Sequence, residues 1–228
     1  LVFFVLHLIT CYVSIYVEVC SMFSKLYEVI IIGGFHMTYQ LILASSSPRR
    51  QELLRQANIP FVVRTANIDE SKITSIDPVE KVKQLAILKG ENVLLQQNEV
   101  ILSADTVVAY NNQIFEKPHN KDEAFEMMKT LSGKIHDVYT GVMIRSENKR
   151  IVFVEKTEVE FWPLSDEEIA SYVETNDPYD KAGGYGIQSL GAIFIKRIVG
   201  DYYNVVGLPL SRVVRELREF EIYSQDFK

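Results

Sequence analysis

The segment VILSADTVVAY, residues 100–110, is almost wholly apolar and rich in β-branched side chains. Such a run predicts a β-strand that is too apolar to lie at the surface of a protein. Other strand patterns, such as LIL at 41–43 and AIFIKRIV at 192–199, alternate with helical patterns such as KDEAFEMMKTL at 121–131. Two long strand patterns between 136 and 162 share a short turn, which indicates an antiparallel hairpin. The sequence therefore predicts an α/β fold with a mixed, twisted sheet and flanking helices.

The composition limits the classes of function that the chain can have. The 228 residues are 47% hydrophobic and 24% charged, which is typical of a soluble globular protein of one domain or two closely joined lobes. The net charge of −6 argues against wrapping of nucleic acid, which needs a basic surface to displace counterions. We therefore expect no nucleic-acid partner, and any phosphate binding should be local.

Residues 1–36 differ from the rest of the chain. No charged residue precedes Glu18, so hydropathy makes this apolar extension a marginal membrane-span or signal candidate. It has no basic region, however, and Gly33-Gly34 stand just before Met37, where glycine codons could form a ribosome-binding site. Our hypothesis is that residues 1–36 are upstream translation and that 37–228 form one domain, with a genuine anchor as the alternative. An intact-mass measurement that showed the longer chain would contradict this hypothesis.

The cysteine count follows from the same division. Cys11 and Cys20 are the only cysteines, and both lie in the apolar extension. A chain that starts at Met37 can have neither a disulfide framework nor a thiolate metal site. We therefore expect a cytoplasmic location and no membrane contact.

The stretch LILASSSPRR, residues 41–50, runs from a strand pattern directly into a helix start. Ser47 is predicted to cap the helix, and Pro48 suits its first position. Free amides at a helix N-terminus favour an anion, and the forked donors of Arg49 and Arg50 match phosphate oxygens. The alternative is an ordinary cap followed by two solvated arginines.

Acidic side chains could contribute a metal site. Asp105 interrupts the apolar run of the central strand, and Asp69-Glu70 lie in a polar loop. Converging carboxylates can hold Mg²⁺ or Mn²⁺, which prefer oxygen ligands. A strand-end hydrogen bond for Asp105 and a solvated Asp69-Glu70 pair are the competing interpretations.

Two lysines and a glycine-rich loop complete the set of candidate residues. Lys89 falls in a helical pattern, Lys117 stands in EKP, and Gln188 closes the loop DKAGGYGIQ. Each alone is explained by an exposed surface position, and the loop matches no standard nucleotide-binding fingerprint. Together with the arginines and carboxylates, they are the residue types expected around a polyphosphate.

Six separated motifs resemble the Maf family of nucleoside triphosphate pyrophosphatases across nearly all of 38–220. They are LASSSPRRQELL, SADTVV, EKP, LSGKIHDVYTGV, YDKAGGYGIQ and GDYYNVVGLPL. The resemblance implies two lobes around a deep cleft, as in ITPase-like folds, and hydrolysis of a nucleotide to its monophosphate and pyrophosphate. It also implies a divalent metal, Mg²⁺ or Mn²⁺, and a homodimer.

The resemblance also implies roles for individual residues. Asp105 matches the catalytic acid-base position, and Glu70 matches a carboxylate that helps Asp105 to hold the metal. The positions that bind phosphate or line the cleft are Ser45, Ser47, Arg49, Arg50, Lys89 and Lys117. Arg49, Thr106 and Gln188 match the branch that acts on dTTP and UTP, in which Thr106 and Gln188 would contact the pyrimidine.

Two positions depart from the family pattern, and two alternative functions stay open. Glu116 and Ser189 stand where the family usually has glycine; Glu116 is expected to lower the local positive potential and Ser189 to stiffen the loop. One alternative is a pyrophosphatase for modified or non-standard nucleotides. The other is a non-catalytic regulator of septum formation in cell division.

Overall fold

The structure is a computed structural model that describes residues 39–226. The apolar extension 1–36 and Met37 lie outside these residues, so the hypothesis about where translation starts stays a prediction. Within 39–226, no helix combines the length and the hydropathy that crossing a membrane requires.

Strands and helices alternate along the chain, as the sequence patterns predict. The strands are β1 (Gln40–Leu43), β2 (Val62–Val63), β3 (Glu99–Tyr110), β4 (Gln113–Phe115), β5 (Ile135–Arg145), β6 (Arg150–Phe161) and β7 (Ile195–Val199). The helices are α1 (Pro48–Gln56), α2 (Pro78–Glu91), α3 (Lys121–Leu131), α4 (Asp166–Val173), α5 (Tyr202–Val206) and α6 (Leu210–Arg218). Short 3-10 turns occupy much of the connection between α4 and β7.

Within the described residues, the strands form one seven-stranded sheet in the order β2-β1-β3-β5-β6-β7, with β4 also paired to β3. β1 is parallel to β2 and β3, whereas the pairs β3-β4, β3-β5, β5-β6 and β6-β7 are antiparallel. The predicted mixed sheet with flanking helices is confirmed, including the long hairpin of β5 and β6. The last strand is shorter than predicted, because residues 190–194 form a 3-10 turn before β7.

Most helices begin at residues that cap their free amides. Asp77 and Asn120 accept hydrogen bonds from amides in the first turns of α2 and α3. Ser165 and Glu168 form the reciprocal capping box at the start of α4. These local signals fix where the helices start, independently of how the helices pack.

One edge of β3 is interrupted in the middle of the sheet. Its first part pairs with β1 as far as Leu102, and its last part pairs with β4 from Val108 onward. Between them, residues 103–107 have no strand neighbour on that edge in the described chain, while their other edge is paired with β5 throughout. A gap therefore opens beside β3, between the ends of β1 and β4.

The two larger of the three hydrophobic clusters in the described residues lie on either side of this gap. The core of the first lobe joins β1, α1 and α6 through side chains such as Leu43, Leu53 and Val213. The core of the second lobe joins β4, α3 and α4 through side chains such as Phe115 and Met128. Both clusters include side chains of β5 and β6, and burial of their apolar surface stabilises the two sides of the gap.

Helix α2 packs directly onto β3 and β5. A Cβ atom on Gly141 of β5 would lie 2.3 Å from the carbonyl oxygen of Val82, so only glycine permits this approach. Ser103 of β3 donates a hydrogen bond to the carbonyl of Ala86 at 2.7 Å. These contacts fix the last turn of α2, which carries Lys89, beside the interrupted edge of β3.

Candidate active site

A cleft of about 1020 Å³ lies where the edge of β3 is interrupted. Both lobes line it, as does the connection between α4 and β7. All ten predicted site residues are among its lining residues: Ser45, Ser47, Arg49, Arg50, Glu70, Lys89, Asp105, Thr106, Lys117 and Gln188. The fold thus brings together residues that are far apart in the sequence.

Asp105 lies on the interrupted edge and is only 9% exposed. The ammonium group of Lys89 donates to its Oδ1 at 2.5 Å and lies 3.1 Å from Oε2 of Glu70. Oδ2 of Asp105 makes no hydrogen bond within residues 39–226, so it can accept one from a water molecule. Lys89 therefore holds both predicted metal-binding carboxylates and orients Asp105.

The predicted divalent metal can be tested against the donors that the cleft offers. Glu70 and Asp105 present two carboxylates around one ammonium group. Within the described range, no group of three or more His, Cys, Asp or Glu side chains could hold a metal ion. Mg²⁺ commonly binds to one or two carboxylates together with substrate phosphates and water. The pair therefore fits an ion that binds with a nucleotide, and it does not fit an all-protein site.

Arg50 is held entirely by neutral groups. Its Nε donates to the carbonyl of Gly207 at 2.8 Å, and its Nη atoms donate to Ser45 Oγ at 3.1 Å and Thr106 Oγ1 at 3.2 Å. Burial lowers the pKa of the guanidinium, against the opposing effect of Asp105. Arginine stays charged even so, and no carboxylate lies within 4.0 Å of Arg50 in the described residues. The cleft therefore holds an uncompensated cation.

The start of α1 differs from the expectation for Ser47. The helix begins at Pro48 as predicted, but the Ser47 side chain makes no capping hydrogen bond. Its backbone amide instead donates to Ser45 Oγ at 3.3 Å. The prediction that Ser47 caps the helix is wrong. Because the Ser47 hydroxyl does not bind the amides of the first turn, these amides are free to bind an anion.

Arg49 is bound to an acidic partner from the connection between α4 and β7. Its Nη1 lies 2.7 Å from Oδ2 of Asp180, and its Nη2 donates to the Asp180 carbonyl at 3.1 Å. Burial raises the pKa of Asp180, but hydrogen bonds from Lys181 and Arg49 outweigh it, and the net shift is downward. Arg49 thus joins α1 to the other side of the cleft.

Lys117 and Glu116 follow directly after β4. Lys117 is exposed, lines the cleft and forms no ion pair within residues 39–226. Glu116 instead lies 2.5 Å from the ammonium group of Lys81 on α2. Glu116, which departs from the glycine of the family pattern, therefore has its negative charge neutralised by Lys81. We use the term cationic group for Arg50, Lys89 and Lys117.

The segment Tyr185–Ser189, which we call the loop wall, lines the cleft without adding any charge. Gln188 is exposed, and its side chain has no hydrogen-bond partner within the described chain. Tyr185 is buried, with its hydroxyl 2.7 Å from Nε2 of His136. Burial lowers the pKa of His136 to about 4 and raises the pKa of Tyr185. A neutral part of a ligand is the natural neighbour of this wall.

Asp177 holds the loop wall in place by accepting a hydrogen bond from Ser189. It is bound by Tyr172, Lys181 and Ser189, and their hydrogen bonds outweigh the effect of burial, so its pKa is lowered. Ser189, the second family departure, therefore contributes a hydroxyl that glycine could not supply. This contact agrees with the expected stiffening of the loop.

Thr106 also lines the cleft, and its contact with a pyrimidine stays a prediction. Successive residues of a strand face opposite sides of the sheet, and Thr106 faces away from Asp105. Its hydroxyl lies 2.9 Å from that of Thr140 and accepts from Arg50. These contacts show Thr106 supporting Arg50.

Sequence reasoning missed several residues that shape the site. Gly207 accepts from Arg50 through its carbonyl and has a φ of +118°, which favours glycine. It lies in the motif GDYYNVVGLPL, so the motif was a usable signal for it. Lys81 and Asp177 had no such signal, because their partners are defined only by the tertiary fold.

The fold and cleft define an α/β protein with a polar, cation-lined site for a small anionic ligand. The family model described as "Maf-like protein" matches residues 40–220. Curated relatives named "dTTP/UTP pyrophosphatase" include one from Bacillus cereus (strain G9842), 50% identical over 80% of this chain and 96% of its own length. A relative of the same name from Bacillus anthracis has the same identity and coverage. The chain belongs to the Maf family.

One solved structure is also similar, a HAM1 protein from Coxiella burnetii. Its identity to this chain is 17% and its TM-score is 0.46, with coverage of 79% of this chain and 99% of that one.

Proposed function

We propose that this chain is a nucleoside triphosphate pyrophosphatase that hydrolyses dTTP and UTP to the monophosphate and pyrophosphate. The observation that carries the proposal is its 50% identity, over 80% of the chain, to curated proteins named for this activity. The cleft supports it, because Asp105 lies beside cations at the gap in the sheet.

The cationic group and the start of α1 would bind the triphosphate. Arg50 and Lys117 have no carboxylate partner among the described residues, and the first-turn amides of α1 are uncapped. A polyphosphate supplies the negative charge that these donors lack. Neutralising the departing pyrophosphate in a partly enclosed site lowers the barrier to its release.

Asp105 would orient the attacking water and accept its proton. Lys89 occupies Oδ1, and Oδ2 has no partner in the described residues. A carboxylate fixed in this way can act as a general base toward a water at the α-phosphorus. Glu70 and Asp105 would hold Mg²⁺ or Mn²⁺, and the bound ion would neutralise charge on phosphate oxygens.

The loop wall would receive the base. The side-chain amide of Gln188 offers both donors and an acceptor, which suits the edge of a pyrimidine. Such a group selects between bases, because a base whose edge does not match its donors and acceptor forms fewer hydrogen bonds. The expected cytoplasmic location and homodimer remain predictions.

The decisive experiment measures pyrophosphate release by the full chain with Mg²⁺ or Mn²⁺. The panel comprises dTTP, UTP, CTP, dATP, GTP, 7-methyl-GTP and modified pyrimidine triphosphates. We expect dTTP and UTP to be preferred, and Asp105→Asn to lower kcat by about 10²- to 10⁴-fold while dTTP still raises the melting temperature.

Asp122→Asn, an exposed acid in the first turn of α3, is the matched control and should retain full turnover. Preference for another base or for a modified base would contradict the assignment to dTTP and UTP. It would leave the proposed hydrolysis to a monophosphate and pyrophosphate in place. No release from any nucleotide would overturn the hydrolase and favour the regulator of cell division.

A further inference from the structure

Asp177 is a partly buried carboxylate with four donor groups around it. Its side chain is 13% exposed and lies just before the 3-10 turn Pro178–Asp180. Its Oδ2 accepts hydrogen bonds from Tyr172 Oη at 2.8 Å, Ser189 Oγ at 2.9 Å and the Gly191 amide at 3.2 Å. Oδ1 lies 3.1 Å from the ammonium group of Lys181. One carboxylate thus connects the C-terminal end of the loop wall, and Gly191 just after it, to Tyr172 of α4.

The loop wall is packed tightly around these contacts. A Cβ atom on Gly186 would lie 2.4 Å from Ser189 Oγ and 2.5 Å from Cε of Lys181. A Cβ atom on Gly191 would lie 2.8 Å from the Gly186 amide and 3.0 Å from the Tyr172 hydroxyl. The backbone on both sides of Gln188 is therefore held against the groups that donate hydrogen bonds to Asp177.

Asp177 also reaches the first lobe through a chain of charges. Lys181, which it binds, lies 2.7 Å from Asp180 Oδ1, and Asp180 Oδ2 lies 2.7 Å from Arg49. Lys181 is almost enclosed, with 12% of its side chain exposed, so this chain is shielded from solvent at its Asp177 end. Such partly buried pairs are screened less by salt than surface pairs.

We propose that Asp177 is a positioning residue for base selection: through Ser189 and Gly191 it fixes the loop wall that faces the base. This inference rests on the proposed function. Asp177 does not line the cleft, and it reaches Arg49 only indirectly, through Lys181 and Asp180, whereas it holds Ser189 directly. Loosening it should alter discrimination between bases more than it alters binding of the triphosphate.

Two variants remove different parts of this arrangement. Ser189→Ala deletes the hydroxyl that donates to Asp177 and more weakly to the Gly186 carbonyl, and it leaves the carboxylate in place. Asp177→Asn keeps the shape, but one oxygen faces the Lys181 ammonium and the other faces the Gly191 amide, and neither group can accept a hydrogen bond. The new NH₂ group must therefore oppose one of them. The second variant should therefore have the larger effect.

The matched control is Glu99→Gln. Glu99 is also buried, at 5% exposure, and accepts two hydrogen bonds from Arg64 and one from the Gln96 amide, away from the cleft. This variant tests the loss of a buried, hydrogen-bonded carboxylate alone. It should lower the melting temperature and leave base discrimination unchanged.

The readout is the ratio of kcat/KM between the most and least favoured pyrimidine triphosphate, measured beside the melting temperature. We expect the ratio to fall about tenfold or more in Asp177→Asn and about threefold in Ser189→Ala, since a lost hydrogen bond to a charged group has effects of this order. Inhibition by free pyrophosphate should stay within about twofold of the wild type, because it reports the phosphate site alone.

The rise in melting temperature on adding dTTP or CTP compares the binding of the two bases without requiring turnover. An unchanged ratio in Ser189→Ala, or an equal fall in Glu99→Gln, would overturn the positioning role. Absence of activity in the wild type would instead overturn the proposed function, and the melting shifts would still decide whether Asp177 controls base selection. If Asp177→Asn does not fold, Ser189→Ala decides alone.

Discussion

The cationic group and the loop wall line the same cleft but are built in different ways. Arg50 and Lys89 project from regular helices, and Lys117 lies just after a strand. The loop wall lies between two 3-10 turns, Ala182–Gly184 and Leu190–Phe194, and is held by hydrogen bonds from Ser189 and the nearby Gly191 to Asp177. The side that suits phosphate therefore depends on the sheet and its helices. The side that suits a base depends on one partly buried carboxylate, Asp177.

This difference separates two properties of the proposed enzyme. Every nucleoside triphosphate carries the same phosphate chain, so a rigid set of cations can serve all of them. Bases differ only in a few donors and acceptors, which a loop can match or mismatch without disturbing the charged residues. The variants below alter one side at a time.

Substitution of Arg50 by lysine should give the largest loss on the cationic side. Lysine keeps the charge but cannot reproduce the three hydrogen bonds to Gly207, Ser45 and Thr106. We expect kcat/KM to fall by about 10²- to 10³-fold for all nucleotides alike. Steady-state kinetics on dTTP and CTP measure this loss.

Arg55→Lys is its control, because Arg55 lies on the same helix and its side-chain hydrogen bond is to Gln51. A change in base preference in Arg50→Lys would show that the two sides of the cleft are not separable.

Acidification should weaken the loop wall through His136. The pKa of this histidine is lowered by burial to about 4 from its ordinary 6.5. The unfolded chain therefore binds a proton at higher pH than the folded chain, so stability is lost as pH falls from 6.5 toward 4. This difference lowers the free energy of unfolding by about 2–3 kcal/mol between pH 7 and pH 4.5.

Urea unfolding at both pH values, for the wild type and His136→Gln, measures this effect. The variant should lose this part of the pH dependence. His119→Gln, at an exposed histidine, should keep it. Equal pH dependence in the wild type and His136→Gln would contradict the assignment to His136.

Removal of the Glu116 charge should have the smallest effect. Glu116→Gln frees Lys81, which also lines the cleft, as a further cation. We expect KM for every triphosphate to fall about two- to threefold, because pairs with an exposed partner are worth about 1 kcal/mol or less. Titration with salt should reduce the difference.

Glu91→Gln, which removes an exposed pair with Arg150 outside the cleft, should leave KM unchanged. A rise in KM for Glu116→Gln would mean that Lys81 needs Glu116 to support the site.

The sequence predicts the cationic side better than the loop wall, for physical reasons. Ser-Pro after a strand pattern and an Asp within an apolar run are local signals, and the structure places Arg50 and Asp105 at those positions in the cleft. The predicted Ser47 cap was wrong: its side chain makes no capping hydrogen bond, while its amide and Arg50 both donate to Ser45. A local pattern cannot show which serine these donors use.

The loop wall depends on contacts that no local pattern contains. The strand predicted from residue 192 starts only at Ile195, because 190–194 form a 3-10 turn whose Gly191 amide is bound by Asp177. Likewise, Lys81 meets Glu116 only after α2 has packed on the sheet. Family motifs located the loop, but its internal geometry required the structure.

The interrupted edge of β3 has a mechanical consequence. The strand passes from one lobe to the other without a break, and β5 pairs with it along the whole gap. The lobes are therefore joined by continuous pleated strands and not by hinge loops. Any approach of one lobe to the other must bend a hydrogen-bonded sheet, which resists bending far more than a flexible connection does. We therefore expect the width of the cleft to be set during folding and to change little when a ligand binds. A ligand must then fit the cleft as it already is.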